Sequence, residues 1–232
     1  QLNPVILLGE LTNKKLRRRY HVSDEYDYRE NSIYKTYLAC DAVSDEVLLR
    51  NHYRCNKEII GFNNKKYYNS KLKIQSKSKE PEPLVYMDVK SDNTQIKNTS
   101  PAEVEEVVEY ALLNKDKSIA VITPFVNQKQ LIENAIKQNK LSNLVCGTVH
   151  AFQGDEKDVV LFSTAISERT SSGTYNWLKN NKELINVATS RAKEKLVLLT
   201  NGKELERLHA GQADEQLNPV ILLGELTNKK LR

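Results

Sequence analysis

The chain predicts an open, mostly parallel α/β sheet with helices on both faces. Three observations carry that expectation. Apolar, β-branched runs occur at residues 84–89, 118–123, 144–149, 158–165 and 196–200. Most of them are continuous rather than alternating, as strands covered on both faces are. Segments of helical periodicity separate them, and strands alternating with helices at this spacing fold as a doubly wound sheet with right-handed crossovers. Ligands of such sheets sit outside the carboxyl ends of the strands, which directs attention to the loops that leave them.

The first 17 residues, QLNPVILLGELTNKKLR, return unaltered at 216–232. Copies under separate structural demands diverge, so identity argues for a recent origin. Five basic residues lie between Lys14 and Arg19, and nine Lys/Arg against two Glu lie within residues 50–80. A solvated charged face and a phosphate-binding face both fit such runs. In LLRNHYRCNKEIIGFNNKKYYNSKL, residues 48–72, Tyr53 and Arg54 follow a strand-like run and precede a helix carrying Ile59, Ile60 and Phe62. A tyrosine next to an arginine can stack on a ring while the arginine holds a phosphate. Residues 73–100 are rich in Lys, Ser and Asn around one strand and read as a surface excursion.

The clearest helix spans 100–114. Ser100 is placed as N-cap, Pro101 at the first helical position and Glu103 three residues after the cap, with Val104, Val107, Val108, Ala111 and Leu112 on one face. A second helix over 128–138 gathers Leu131, Ile132, Ala135 and Ile136. In GTVHAFQGDEKDVVLFS, residues 147–163, Gly154 permits close backbone approach to a ligand and Glu156 can accept from a sugar hydroxyl; a hairpin-like connection with a solvated acidic turn fits the same letters. In ELINVATSRAKEKLVLL, residues 183–199, Leu184, Val187 and Ala188 form a core stripe. Arg191 there suits either a γ-phosphate or a surface salt bridge to Glu183 or Glu194. Residues 201–215 read as a helical turn and a linker.

A chain of 232 residues, 39% hydrophobic and 28% charged, has the composition of a globular domain rather than a disordered tail. It contains no apolar run of membrane-spanning length and no signal-peptide layout, so a cytoplasmic protein with no membrane partner is expected. Cys40, Cys55 and Cys146 form no C-x-x-C pair and the four histidines are scattered, so neither a metal site nor a disulfide framework is expected. The net charge of +5 is compatible with a polyanionic partner.

Five blocks are jointly recognisable: QLNPV; NHYRCNKEII with its following F, N, YY and L; VITPFxxQ; GTVHAFQGDEKDVV; and LINVATSRAKEKL. Their order resembles superfamily 1 helicases over residues 1 to about 201, closest to the branch that includes the nonsense-mediated-decay RNA helicase and its DNA-processing relatives. The resemblance implies the second RecA-like domain of a motor over residues 1–205, with 206–215 a linker and 216–232 a duplicate arising from rearrangement. It implies that Gln1 senses the γ-phosphate and that Arg54 and Arg191 reach across an interdomain cleft to ATP. It places Tyr53 beside the nucleotide, Gly154 and Glu156 near phosphate and ribose, and Thr123, Pro124, Thr148 and His150 on the nucleic-acid backbone.

The phosphate-cradling pattern G-x-x-x-x-G-K-[ST] does not occur, since Gly202 and Lys203 are followed by Glu204, and Asp88 is a lone candidate for a magnesium-binding carboxylate. The resemblance therefore implies a P-loop NTPase fold without its own P-loop. An N-terminal RecA-like domain of the same parent would supply the cradle and the Mg2+ ligands, and single-stranded nucleic acid would be the partner. The alternative is a non-enzymatic module that binds nucleic acid or protein on the same fold. The repeated end also offers a route to a swapped dimer, because exchanging an identical element between copies costs little.

Overall fold

The computed structural model describes residues 9–27, 29–39, 48–90, 94–152 and 155–209. The chain divides into two compact units, Gln1–Leu49 and Arg50–Arg232. That division falls inside the single 1–205 domain expected from the sequence.

In the first unit α1 (Glu10–Arg19) and α2 (Ile33–Ala39) flank a 3-10 turn at Asp24–Tyr26. The basic run at the end of α1 is in part structural. Arg17 pairs with Asp24 and with Asp27 (2.6 Å), and buried Asn13 donates to Asp27 Oδ1 (3.0 Å).

The second unit holds β1 (Asn51–His52), α3 (Lys57–Tyr67), β2 (Lys73–Ile74), β3 (Leu84–Asp88), α4 (Pro101–Leu113), β4 (Ile119–Thr123), α5 (Val126–Gln138), β5 (Leu144–Thr148), β6 (Lys157–Ser163), α6 (Ser172–Asn180), α7 (Lys182–Thr189), β7 (Ala192–Thr200) and α8 (Gly202–His209). Strands β1 and β2 form a short parallel pair, and the other five form one sheet, entirely parallel, in the order β3-β7-β6-β4-β5. The expected fold class is the observed one.

Strand β4 is buried along its whole length, as its continuous apolar run IAVIT requires. Ile119, Val121, Leu161, Val197 and Leu199 join Val107 and Ala111 of α4 and Ile132 of α5 in one core. Truncating a side chain such as Leu161 there costs about 2–5 kcal/mol. Ser100 caps α4 as expected, its hydroxyl accepting the Glu103 N–H (3.2 Å). The Glu103 carboxylate is fully buried and accepts from Ser163 Oγ (2.6 Å) and the Ala165 N–H (3.0 Å).

Four expectations change. The connection after β5 is not a hairpin, because β5 and β6 both pair with β4, in parallel and on opposite sides. The 73–100 segment is not a surface excursion: besides the expected strand, found as the edge strand β3, it supplies β2 and buries Thr94, Thr99 and Ser100. In α7 the buried stripe uses Ile185 where Val187 was expected, alongside Leu184 and Ala188. Helix α8 runs to His209 with Leu205 and Leu208 buried, so residues 206–209 are domain rather than linker. Residues 210–232, and with them the repeated end, lie outside the described residues.

Candidate nucleotide and nucleic-acid sites

Two groups of predicted residues sit at opposite ends of the main sheet. At the amino ends of β6 and β7 stand Glu156, one residue before β6, and Arg191, one residue before β7; Arg54 joins them from the segment between β1 and α3. Arg54 Nε pairs with Glu156 Oε2, and Lys193 Nζ lies 3.1 Å from Glu156 Oε1. The ion pair with Lys193 and then the Arg54 charge hold the Glu156 carboxyl below its ordinary value.

Arg191 is half-buried, and burial together with the nearby Arg54 charge lowers its guanidinium pKa. Neither expected carboxylate partner is used. Arg191 donates from Nε to the Val187 carbonyl (3.2 Å) and from Nη1 to the Asp155 carbonyl (3.3 Å), while Glu194 pairs with Lys117 (3.0 Å). Three cations thus surround one carboxylate, and two of them repel each other. Such a cluster can hold an anion.

Short ties explain why distant segments meet here. The Asn56 N–H donates to the Lys193 carbonyl (2.7 Å), and its side chain caps α3 by accepting the Glu58 N–H (3.0 Å). Cys55 Sγ lies 3.3 Å from the Ser190 carbonyl, and burial pushes its thiol up to about 12. Asn63, fully buried, donates to Asn186 Oδ1 (2.7 Å) and Thr189 Oγ1 (2.8 Å), which fixes α3 against α7. These bonds come from the amide nitrogen, while its Oδ1 is buried without a hydrogen-bond partner among the described residues; the donated bonds hold the two helices in one relative placement. Exposed Arg54 and half-buried Arg191 are carried by that fixed frame.

At the carboxyl ends of β4 and β5, Thr123 and Thr148 are register partners. Thr123 is fully buried and its Oγ1 accepts the Phe125 N–H (3.4 Å), so its hydroxyl shapes the turn into α5. Pro124 follows it, half-buried, and His150 is exposed on the 3-10 turn Val149–Phe152. That turn rests on Gly147, where a Cβ would stand 2.8 Å from the Phe152 ring.

Arg54, Glu156 and Arg191 are therefore brought together, and Thr123, Pro124, Thr148 and His150 lie in the region of the other end of the sheet. Tyr53 is exposed beside Arg54. Gln1 and Gly154 lie outside the described residues. The rule that directs attention to loops leaving strands fits the second group alone, since Glu156 and Arg191 enter strands. Sequence reasoning missed Lys193, whose only signal is its place two residues after Arg191. Asp88, the lone carboxylate candidate, accepts the Gly202 N–H (2.9 Å) at the first residue of α8, beside Asn201, whose Oδ1 accepts the Glu204 N–H (3.0 Å).

Residues 29–203 match the AAA domain family. RNA helicase Mov10l1 of Mus musculus is 25% identical over 245 residues, covering 89% of this chain and 20% of the relative. Helicase sen1 of Schizosaccharomyces pombe is 30% identical over 186 residues, covering 68% of this chain and 11% of the relative. The chain thus spans a fifth or less of the length of these curated relatives. Among solved structures, the C-terminal domain of a possible DNA helicase from Lactobacillus plantarum WCFS1 aligns at 19% identity and a TM-score of 0.43, over 65% of this chain and 88% of that one. No helix of the described residues is long and apolar enough to cross a membrane. The chain belongs to the AAA domain family, as a RecA-like domain of the superfamily 1 helicase kind.

Proposed function

We propose that this chain is the second motor domain of an ATP-dependent helicase or translocase that works in the cytoplasm on single-stranded nucleic acid. One observation carries the reading: Arg54 and Arg191, from separate segments, meet around Glu156 with an excess of positive charge, and Arg191 is half-buried beside a like charge. The triphosphate of ATP is the anion such a cluster fits. Arginine's planar fork suits phosphoryl oxygens, and groups that neutralise charge developing in the transferring phosphoryl accelerate its transfer.

Glu156 engages Arg54 through Nε. That contact orients the guanidinium toward the phosphate. Tyr53 flanks the nucleotide, and Gln1 and Gly154 complete the set from positions that the resemblance assigns. The phosphate cradle and the Mg2+ ligands come from an N-terminal RecA-like domain of the same parent. Closure of the two domains on ATP brings the arginines to the γ-phosphate, and hydrolysis releases that closure and moves the grip at Pro124, Thr148 and His150 along the strand by a step. Residues 216–232 carry an exchange between copies, checked by comparing the mass in solution of the full and shortened chains.

The test is turnover by the intact parent. Arg54→Ala and Arg191→Ala each lower nucleic-acid-stimulated ATP hydrolysis while nucleotide-free binding of single strands persists. Near-normal turnover in either variant removes that arginine from the γ-phosphate.

A further inference from the structure

Beyond Thr123 the chain opens a cleft of about 640 Å³ between the start of α5, the start of α6 and the loop before α4. Its volume is that of a small-molecule site. Trp177 stands on its wall, 44% exposed, with its ring 5.8 Å from that of Phe125 and tilted 39° to it. Pro124, already placed on the strand path, lines the same cleft, so the two surfaces are continuous. Lys97 brings an exposed positive charge to the rim, and its carbonyl accepts from Asn127 Nδ2 (3.0 Å). The wall also contains an unmet acceptor, Asn98 Oδ1, buried and without a hydrogen-bond partner among the described residues.

A half-exposed indole in a cleft is a stacking platform, and every base offers it a π-face. A cation at the rim and the amides opening α5, whose N-cap Phe125 supplies no side-chain cap, favour a phosphate beside that base. We infer that this cleft receives one unstacked nucleotide of the single strand, with its base on Trp177 and its phosphate toward Lys97 and the first turn of α5. The inference rests on the single-strand reading of this end of the sheet and adds the element that reads bases rather than backbone. Neither Trp177 nor Lys97 figured among the residues expected to touch nucleic acid.

Trp177 is the one tryptophan of the chain, so its emission reports on the cleft. The full 232-residue chain is titrated with an end-labelled single strand of about 12 nucleotides, following label anisotropy for binding and tryptophan emission for stacking. Both signals are expected to change with one midpoint, and an abasic strand of equal length is expected to bind without quenching. Trp177→Leu is expected to lose about tenfold in affinity while Trp177→Phe stays within about threefold. Anisotropy changes with constant tryptophan emission overturn the cleft and leave the nucleic-acid reading standing, whereas no anisotropy change at low salt overturns both. Equal losses in the Leu and Phe variants make Trp177 a packing residue and overturn the stacking. A free mononucleotide that quenches at the same concentration as the strand replaces the strand with a mononucleotide ligand and overturns the proposal as stated.

Discussion

The amino and carboxyl ends of the same parallel sheet differ in chemistry and in how firmly their residues are held. At the amino ends of β6 and β7 the chemistry is ionic and the frame is rigid: Arg54, Arg191 and Lys193 crowd Glu156, and buried Asn63, Asn56 and Cys55 fix the segments that carry them. At the carboxyl ends of β4 and β5 the residues are hydroxyls, a proline, an exposed histidine and an aromatic pair. A group that must meet a triphosphate within hydrogen-bond tolerance needs its frame set in advance, because small misplacements cost large factors in rate. A surface that grips and releases a strand gains from modest, separable contacts.

The comparison breaks first at the arginines. In the intact parent, Arg54→Ala or Arg191→Ala is expected to cut ATP turnover on the order of 10³-fold or more, as loss of an arginine finger does. Arg191→Lys is expected not to rescue, since a point charge lacks the fork. Steady-state hydrolysis measured with saturating single strand checks both. An equal loss of strand affinity would show that the two ends are not separate.

The next effect belongs to the other end. Gly147→Ala drives a Cβ to within 2.8 Å of the Phe152 ring and 3.3 Å of the Ala151 Cβ, beneath the turn that carries His150. Overpacking of this kind costs about 1–3 kcal/mol. Thermal unfolding is expected to fall by several degrees and strand affinity to weaken, while the frame around Glu156 keeps the arginines in place. Unchanged stability would mean that the turn yields freely and does not hold His150.

Much of this fold is legible in the letters, and the exceptions are physical. Strand β4 is found within a residue of its expected bounds because burial on both faces leaves an uninterrupted apolar run. Strand β7 begins earlier than expected, at Ala192, because Lys193, Glu194 and Lys195 near its start are half-exposed and carry charge, which hides a strand from a hydrophobic reading. Edge strand β3, Leu84–Asp88, is by contrast found within a residue of its expected end although most of it is half-exposed, because LVYM keeps an apolar run. The convergence of Arg54 and Arg191 has no local signature: the residues alone left Arg191 between a γ-phosphate and a surface salt bridge and Arg54 as able to hold a phosphate beside Tyr53, and only the family resemblance paired them. The ties that bring them together are asparagines and a cysteine, residues that a binary apolar pattern discards. Trp177 escaped because an aromatic on an amphipathic helix ordinarily reads as core.

A smaller effect concerns acid. Asp158 and Glu156 both lie at the amino end of β6, and both carboxyls are held below their ordinary values, Asp158 by hydrogen bonds from Ser118 and Glu156 by Lys193 and Arg54. A carboxyl lowered in the folded state adds stability that is present above its unfolded value and is lost as the pH falls through its folded one. Glu156→Gln removes that contribution, so urea unfolding of the variant is expected to depend less steeply on pH below the ordinary glutamate value of 4.5 than the unaltered chain does. Parallel curves would mean that Glu156 orients Arg54 without stabilising the fold. A stability difference between the two chains confined to the region below that value would reverse the sign of the argument.

The smallest expected effect separates the two ends by salt. Each phosphate neutralised on a single strand contributes about 0.7 to the slope of log affinity against log salt. Lys97→Ala is therefore expected to weaken binding of an unstructured single strand modestly at low salt and to reduce that slope by about one phosphate's share, in equal measure for strands of different sequence. Arg54→Ala, at the opposite end of the sheet, is expected to leave the slope unaltered even though it abolishes efficient turnover. Fluorescence anisotropy across a salt series reads both variants against the unaltered chain. A slope lowered equally by Lys97→Ala and Arg54→Ala would place the strand along both ends, and the division of labour between a charged, pre-set nucleotide frame and a weakly gripping carboxyl end would fail.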